Sequence, residues 1–230
     1  MFPHRIMKVA VLFSGGKDSC YAAYRAQQEG HDVACLISMV SANQESYMFH
    51  IPNIGLTELQ AEAMGIPLLM VHTAGEKEDE LIDLKHAIQQ AQDDAGIEGV
   101  VTGAVASVYQ ASRVQKICRD CGLWCFNPLW QMDQVALLRC MQDFRIMITG
   151  IFGYPLDRKW LGRIIDSATI NELAQFAERF RINPAGEGGE IETTTLDGPN
   201  FQKHVIIQDS VVEMQGENSG IFRITEARLV

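Results

Sequence analysis

Residues 8–30 read KVAVLFSGGKDSCYAAYRAQQEG, an apolar run that Ser-Gly-Gly-Lys-Asp-Ser interrupts before a helical pattern begins. A short continuous apolar run is typical of a strand that helices cover on both faces. We predict this strand over residues 8–13 and a helix over residues 18–29, which Gly30 ends. Backbone N–H groups and the helix dipole attract anions at the start of a helix. The two adjacent glycines and the lysine therefore indicate a phosphate-binding turn between the strand and the helix.

The alternation of strands and helices continues to residue 130. Further strands are predicted at residues 32–40, 66–73, 99–106 and 124–130. Further helices are predicted at residues 56–64, 76–95 and 109–121. This order implies βαβ units and a parallel sheet, with ligands at the carboxyl ends of the strands.

The pattern changes after residue 144. One amphipathic helix is predicted at residues 169–180, and the remainder has Gly-rich turns between β-like runs. We therefore predict two domains, an α/β domain over residues 1–144 and a smaller α+β domain over residues 145–230.

The composition excludes several classes of protein. A chain of 230 residues that is 47% hydrophobic can bury a substantial core. Its formal net charge of -10 argues against an extensive nucleic-acid surface, which needs clustered Lys and Arg. No stretch approaches the ~20 apolar residues of a membrane span. Because the six cysteines come without a secretory signal, they indicate reduced thiols, and we expect a cytoplasmic protein without a membrane partner.

The glycine turn differs from two common phosphate-binding motifs. A Walker loop would have glycine at position 11 and Ser or Thr at position 18, where this chain has Val11 and Asp18. A dinucleotide fingerprint requires spaced glycines, and Gly15 and Gly16 are adjacent. Neither of these two motifs therefore describes the glycine turn.

The six residues SGGKDS resemble the PP-loop of the N-type ATP pyrophosphatases, which cleave ATP between its α and β phosphates. By this resemblance the backbone N–H groups of the glycines hold the pyrophosphate, the two serines donate hydrogen bonds, and Lys17 acts as a catalytic charge. Asp18 either shapes the turn or lies near Mg2+. The implied cofactor-binding residues are Ser14, Gly15, Gly16, Lys17, Asp18 and Ser19.

Longer motifs along the whole chain resemble the diphthine-ammonia ligase family. That family implies a HUP-like parallel sheet with helices on both faces, which carries the PP-loop, and a family-specific C-terminal domain. It also implies ATP-dependent amidation of the diphthine carboxylate on elongation factor 2 by ammonium, through an acyl-adenylate, with release of AMP and pyrophosphate. ATP and Mg2+ are the implied cofactors, and a homodimer is left open. The motifs lie at residues 46–68, 103–113, 127–130, 152–162 and 183–201.

Small residues follow the predicted strand that begins at residue 99. Gly103, Ala104 and Ser107 would let a nucleotide approach the backbone, and Arg113 could then reach a phosphate or the acyl-adenylate. The alternative is a helix entrance with a solvated arginine.

Three further residues are candidates for binding the acceptor. His50 and Asn53 lie in a long polar segment of the kind that closes over a site. Asp157, in PLDRKWLG, is a weaker candidate, and Trp160 beside it is more typical of a core residue.

The segment AGEGGEIET places three acids among three glycines. If it forms a strand, Glu190 and Glu192 share one face and Ile191 enters the core. We predict that Glu187 and Glu190 are catalytic in capturing and deprotonating ammonium and that Glu192 contacts the substrate. The alternative is an edge strand that its charges keep soluble.

Cysteines in CRDCGLWC favour a different function. Sulfur-inserting PP-loop enzymes that modify tRNA use such residues, but Cys118, Cys121 and Cys125 lack a second CxxC pair, and helical spacing makes Cys118 and Cys121 packing residues. A tRNA-modifying thiolase and a non-catalytic ATP or AMP sensor therefore remain as alternatives to the ligase.

Overall fold

Nine strands, six α-helices and two short 3-10 helices, Ile54–Leu56 and Arg158–Trp160, make up the regular structure that the computed structural model describes, over residues 5–42, 53–76 and 79–230. The strands are β1 (Lys8–Leu12), β2 (Asp32–Ser41), β3 (Leu68–Thr73), β4 (Gly99–Val101), β5 (Trp124–Phe126), β6 (Arg145–Phe152), β7 (Ile191–Asp197), β8 (Val205–Gly216) and β9 (Ser219–Leu229). The helices are α1 (Lys17–Gln28), α2 (Thr57–Met64), α3 (Asp79–Ala95), α4 (Val108–Asp120), α5 (Gln134–Cys140) and α6 (Ser167–Phe180).

Two compact units divide these elements. The first unit contains residues 5–14, 18–42, 65–76 and 79–130 of the described chain. The second contains residues 15–17, 53–64 and 131–230. The predicted domain boundary at residue 144 stays a prediction.

A parallel five-stranded sheet forms the first unit. The strand order is β3-β2-β1-β4-β5, with β1 at the centre. Val9 and Val11 on one face of β1 and Ala10 on the other are fully buried, so both faces of this strand are covered. The predicted α/β sheet is thereby confirmed.

The core on one face of this sheet packs β1, β2 and β4 against α3 and α4. Its largest fully buried side chains include Ile37 from β2 and Leu84 and Ile88 from α3. The helical spacing of Leu84 and Ile88 places both on the face that meets the sheet. This packing holds the carboxyl ends of β1 and β4 next to each other, as the pairing of Val11 with Val101 shows.

An antiparallel sheet of order β7-β6-β9-β8 forms the second unit, together with α2, α5 and α6. Ala63 of α2 packs with Met147, Leu196 and Val205 in its apolar core. The predicted α+β character of the C-terminal region is therefore confirmed.

Some boundaries differ from the sequence prediction. The strand predicted to run to residue 106 ends at Val101, because the chain turns there and Ser107 caps the following helix by accepting from the backbone N–H of Gln110. Helix α5 was missed; it begins at an Asp133 cap whose side chain accepts from Ala136 N. Within the described part of the chain, no helix is both long and apolar enough to cross a bilayer.

Candidate functional site

The predicted phosphate-binding turn follows β1 directly. Gly15 has a φ of +75°, which a residue with a side chain rarely adopts. The backbone N–H of Ser14 donates to Ser19 Oγ at 3.2 Å, and the two serine hydroxyls lie 3.1 Å apart. Ser19, in the first turn of α1, thus ties the end of β1 to the start of the helix.

Gly103 lies against the start of α1. A Cβ at this position would lie 2.7 Å from the carbonyl carbon of Asp18 and 2.8 Å from the backbone nitrogen of Ser19. Because both are backbone atoms, they cannot move aside as a flexible side chain would. The close packing of the turn therefore leaves no room for a side chain at Gly103. Nucleotide binding by Gly103, Ala104 and Ser107 stays a prediction.

Neighbours of Gly103 have local structural partners. The backbone N–H of Ala104 donates to Thr102 Oγ1 at 3.2 Å, and the Thr102 hydroxyl in turn donates to the side-chain oxygen of Asn127. Ser107 caps α4. These bonds shape the loop that carries Gly103.

Arg113 lies in a groove between α3 and α4. Its guanidinium carbon is 3.4 Å from the centre of the Tyr109 ring, a cation–π contact. Lys85 and Lys116 line the same groove. Nucleotide binding by Arg113 stays a prediction.

Lys17 is buried, with 4% of its surface exposed. Its backbone N–H donates to Thr193 Oγ1 of β7 at 3.1 Å. Gly15 contacts the same strand, since its carbonyl accepts from Thr195 N at 2.9 Å. Gln60 of α2 completes the contact by donating to the carbonyl of Gly15 at 2.8 Å.

Sequence reasoning missed Gln60, Thr193 and Thr195 as residues of the site. All three lie inside the motifs on which the family resemblance rests. The sequence signal for two of them was the run of three consecutive threonines, Thr193, Thr194 and Thr195.

Asp18 is the acidic side chain of the turn. It is half-buried and one of its carboxylate oxygens is shielded from solvent. Mg2+ is commonly held by one or two carboxylates together with the phosphates of its nucleotide. The described residues contain no cluster of three or more metal-binding side chains. A single carboxylate such as that of Asp18 fits a Mg2+ ion whose other ligands are phosphate oxygens and water.

Glu190 is held by three hydrogen-bond donors. Its Oε1 accepts from the backbone N–H of Asn183 at 3.1 Å and from Asn183 Nδ2 at 3.0 Å, and its Oε2 accepts from Gly188 N at 3.0 Å. A Cβ at Gly188 would lie 2.6 Å from Glu190 Oε1. The Glu190 carboxylate therefore closes the turn over residues 183–190.

The other two acids of this segment occupy different positions. Glu187 is half-buried within the turn that Glu190 closes. Glu192 lies on β7, opposite Gly150 of β6. Because β7 begins at Ile191, Glu190 itself precedes the strand.

Two of the predicted acceptor-binding residues, Asn53 and Asp157, form hydrogen bonds within the fold. Asn53 donates through Nδ2 to the carbonyl of Phe222 at 2.9 Å and accepts through Oδ1 from Ile224 N at 2.8 Å, which joins it to β9. Asp157 caps a short 3-10 helix by accepting from Lys159 N at 2.9 Å. His50 lies outside the described residues.

Of the three cysteines in residues 118–125, Cys118 is buried and Cys121 and Cys125 are half-buried. The Cys118 thiol donates to Cys125, which raises the pKa of Cys118, already raised by burial, and lowers the pKa of Cys125. Burial raises the pKa of Cys121, against the opposing charge of Lys85. Cys118 is fully buried, as a packing residue would be.

Two family models match almost the whole chain. The diphthamide synthase N-terminal domain matches residues 7–125, and the diphthamide synthase C-terminal domain matches residues 127–230.

Several curated relatives carry the name diphthine-ammonia ligase. The Homo sapiens protein is 34% identical, over 90% of this chain and 85% of its own length. The Mus musculus protein is 33% identical, over 93% and 87%. The Danio rerio protein is 32% identical, over 96% and 95%.

A solved structure, a predicted subunit of tRNA methyltransferase from Methanocaldococcus jannaschii, is similar over 83% of this chain and 97% of its own, at a TM-score of 0.45 and 18% identity.

Proposed function

Because the chain belongs to the diphthine-ammonia ligase family, we propose that it converts the diphthine carboxylate of elongation factor 2 to an amide, using ATP and ammonium. The observation that carries this proposal is the match to both domains of the family over nearly the whole chain. The glycine turn after β1 supports it, since Gly15 adopts a φ of +75° there and Lys17 supplies a positive charge in the same turn.

In the first half-reaction the acceptor carboxylate attacks the α-phosphorus of ATP and pyrophosphate leaves. Backbone N–H groups and the positive charge of Lys17 stabilise the charge that develops on the leaving pyrophosphate. A carboxylate oxygen is a poor leaving group and AMP is a good one, so adenylation prepares the acyl carbon for ammonia.

In the second half-reaction ammonia attacks the acyl carbon and AMP leaves. Ammonium is protonated near neutral pH and becomes a nucleophile only after it loses a proton. We propose that Glu187 accepts this proton. Glu190, whose two oxygens already accept three hydrogen bonds, is proposed to position the turn that carries Glu187.

Mg2+ would neutralise part of the charge on the ATP phosphates when bound, and Asp18 is the side chain proposed to hold it.

Two further sets of binding residues are proposed. Arg113 is proposed to bind the nucleotide. The residues proposed to bind the acceptor are His50, Asn53, Asp157 and Glu192. A homodimer would be detected by sedimentation of the purified chain.

The decisive experiment incubates the protein with ATP, isotopically labelled ammonium and a diphthine-bearing elongation factor 2. We expect AMP and pyrophosphate in equal amounts and one labelled nitrogen in the acceptor, measured by mass spectrometry. An acceptor that already carries the amide is the matched control and should yield neither product. Formation of ADP, or AMP without label in the acceptor, would refute the proposed reaction.

A further inference from the structure

The turn residues Gly15–Lys17 are fixed by a set of buried hydrogen bonds to β7 and α2. From these bonds we infer that Gln60 and Thr193 are positioning residues that hold the turn in the conformation that binds the pyrophosphate part of ATP. This inference rests on the proposed function in so far as it takes the turn to bind ATP.

The first part of this arrangement is strand β7. Thr195 donates its backbone N–H to the carbonyl of Gly15 at 2.9 Å, and the Thr193 hydroxyl accepts from the backbone N–H of Lys17 at 3.1 Å. Side chains two apart on a strand share a face, so Thr193 and Thr195 point to one side and Thr194 to the other. Thr194 pairs instead with Thr149 of β6 at 3.1 Å.

Gln60 is the second part. Its Nε2 donates to the carbonyl of Gly15 at 2.8 Å and to the carbonyl of Thr195 at 2.7 Å, so that one amide group joins the turn to the strand. Gln60 is 1% exposed, which is rare for this residue type.

The other side-chain atom of Gln60 shows how close this contact is. Its Oε1 is buried and has no hydrogen-bond partner among the described residues. A Cβ at Gly15 would lie 2.1 Å from this oxygen. Burying a polar atom without a partner opposes folding, so the two bonds from Nε2 are kept at a cost to stability.

These bonds orient one peptide group. The carbonyl of Gly15 accepts from both Gln60 Nε2 and Thr195 N. In a trans peptide the carbonyl and the following N–H point in opposite directions, and the bond between Gly15 and Gly16 is trans. Holding the carbonyl toward β7 therefore directs the Gly16 N–H away from β7.

Two consecutive glycines would otherwise make this peptide easy to rotate, because both have wide conformational freedom. A donor that is already oriented costs less free energy to bring to a phosphate than one that must be ordered on binding. The hydrogen bond from the N–H of Lys17 to Thr193 fixes the next part of the turn in the same way, so the backbone of Gly15–Lys17 is held in one conformation.

The sharpest test compares neighbouring threonines of one strand. Thr193→Val removes the acceptor for Lys17 N, and Thr194→Val, the matched control, removes a buried hydroxyl that does not contact the turn. Binding of a non-hydrolysable ATP analogue and of AMP would be measured by calorimetry on the full chain. We expect Thr193→Val to lower the affinity for the ATP analogue by up to about a hundredfold and to lower the affinity for AMP far less. Thr194→Val should change neither affinity, and Thr193→Ser should restore binding.

Gln60 is tested by Gln60→Met, which keeps the length of the side chain, and by Gln60→Glu. Gln60→Met should lower the affinity for the ATP analogue as Thr193→Val does. In Gln60→Glu a carboxylate would face two carbonyl oxygens, and only its protonated form could donate a hydrogen bond to them. The affinity of this variant for the ATP analogue, relative to that of the unchanged protein, should therefore rise as the pH falls.

The inference would be overturned if Thr193→Val and Thr194→Val lost equal affinity for the ATP analogue. It would also be overturned if Thr193→Val lost equal affinity for the ATP analogue and for AMP. If Gln60→Met does not fold, as judged by circular dichroism, the three threonine variants decide. A protein that shows the expected binding pattern but forms no amide would refute the proposed function and leave the positioning roles intact.

Discussion

Lys17 is buried at the start of α1, next to the two glycines whose backbone is proposed to hold pyrophosphate. Lys17→Ala should weaken ATP binding much more than AMP binding, because the lysine charge stabilises the phosphates that AMP lacks. Calorimetry with both nucleotides measures the difference. Lys203→Ala, which removes an exposed lysine paired with Glu62, is the control. Equal losses for ATP and AMP in Lys17→Ala would place the lysine elsewhere.

Glu187 tests the second half-reaction at the scale of one residue. Glu187→Gln should retain ATP binding and pyrophosphate formation but slow amide formation by about a hundred- to ten-thousandfold, because the proton acceptor is lost. Rapid-quench measurements would follow pyrophosphate and amide separately. Glu178→Gln, at an exposed position of α6, should leave both rates unchanged. A parallel fall of pyrophosphate and amide in Glu187→Gln would assign Glu187 to the first half-reaction or to folding.

At the scale of an element, the loop after β4 and the start of α1 are packed backbone to backbone. Gly103→Ala would place a Cβ 2.7 Å from the carbonyl carbon of Asp18, so we expect α1 to shift and ATP affinity to fall. Overpacking of this kind costs about 1–3 kcal/mol of unfolding free energy. Gly153→Ala is the control, since a Cβ there meets nothing within 4 Å. Urea unfolding and calorimetry check both effects, and an unchanged ATP affinity in Gly103→Ala would contradict the packing.

At the scale of the whole molecule, stability depends on pH through paired carboxylates. Arg163 donates two hydrogen bonds to Glu172, at 3.0 and 2.9 Å, and lowers the pKa of that carboxyl. Arg223 lowers the pKa of Glu213 in the same way. A carboxyl whose pKa is lower in the folded protein than in the unfolded chain adds to the free energy of unfolding. This contribution is complete above the pKa in the unfolded chain, about 4.3 for glutamate. It is lost as the pH falls through the pKa in the folded protein.

The midpoint of urea unfolding should therefore fall as the pH is lowered from about 6 to about 3. Glu172→Gln should have a lower midpoint at the upper pH and a shallower decline, because its side chain no longer titrates. Glu178→Gln should keep the decline of the unchanged protein. Identical declines in all three proteins would show that the pair with Arg163 contributes nothing to the pH dependence.

The sequence alone was sufficient to predict the α/β and α+β architecture and the position of the glycine turn. Apolar runs such as residues 8–13 and the helical pattern after Asp18 are local signals, since each depends on neighbours within one strand or one helical turn. The six residues SGGKDS are likewise contiguous. Helix α5 was missed because only its Asp133 cap and seven residues identify it.

The tertiary structure decided which residues contact the turn and which groups the Glu190 carboxylate binds. Gln60 lies 45 positions from Gly15, and Thr193 lies 176 positions from Lys17, so no local pattern links them. Glu190 was predicted to be catalytic from the sequence, and the fold gives its carboxylate three hydrogen-bond donors from Asn183 and Gly188. A hydrogen bond depends on distance and angle in space, and for residues this far apart only the folding of the chain sets them.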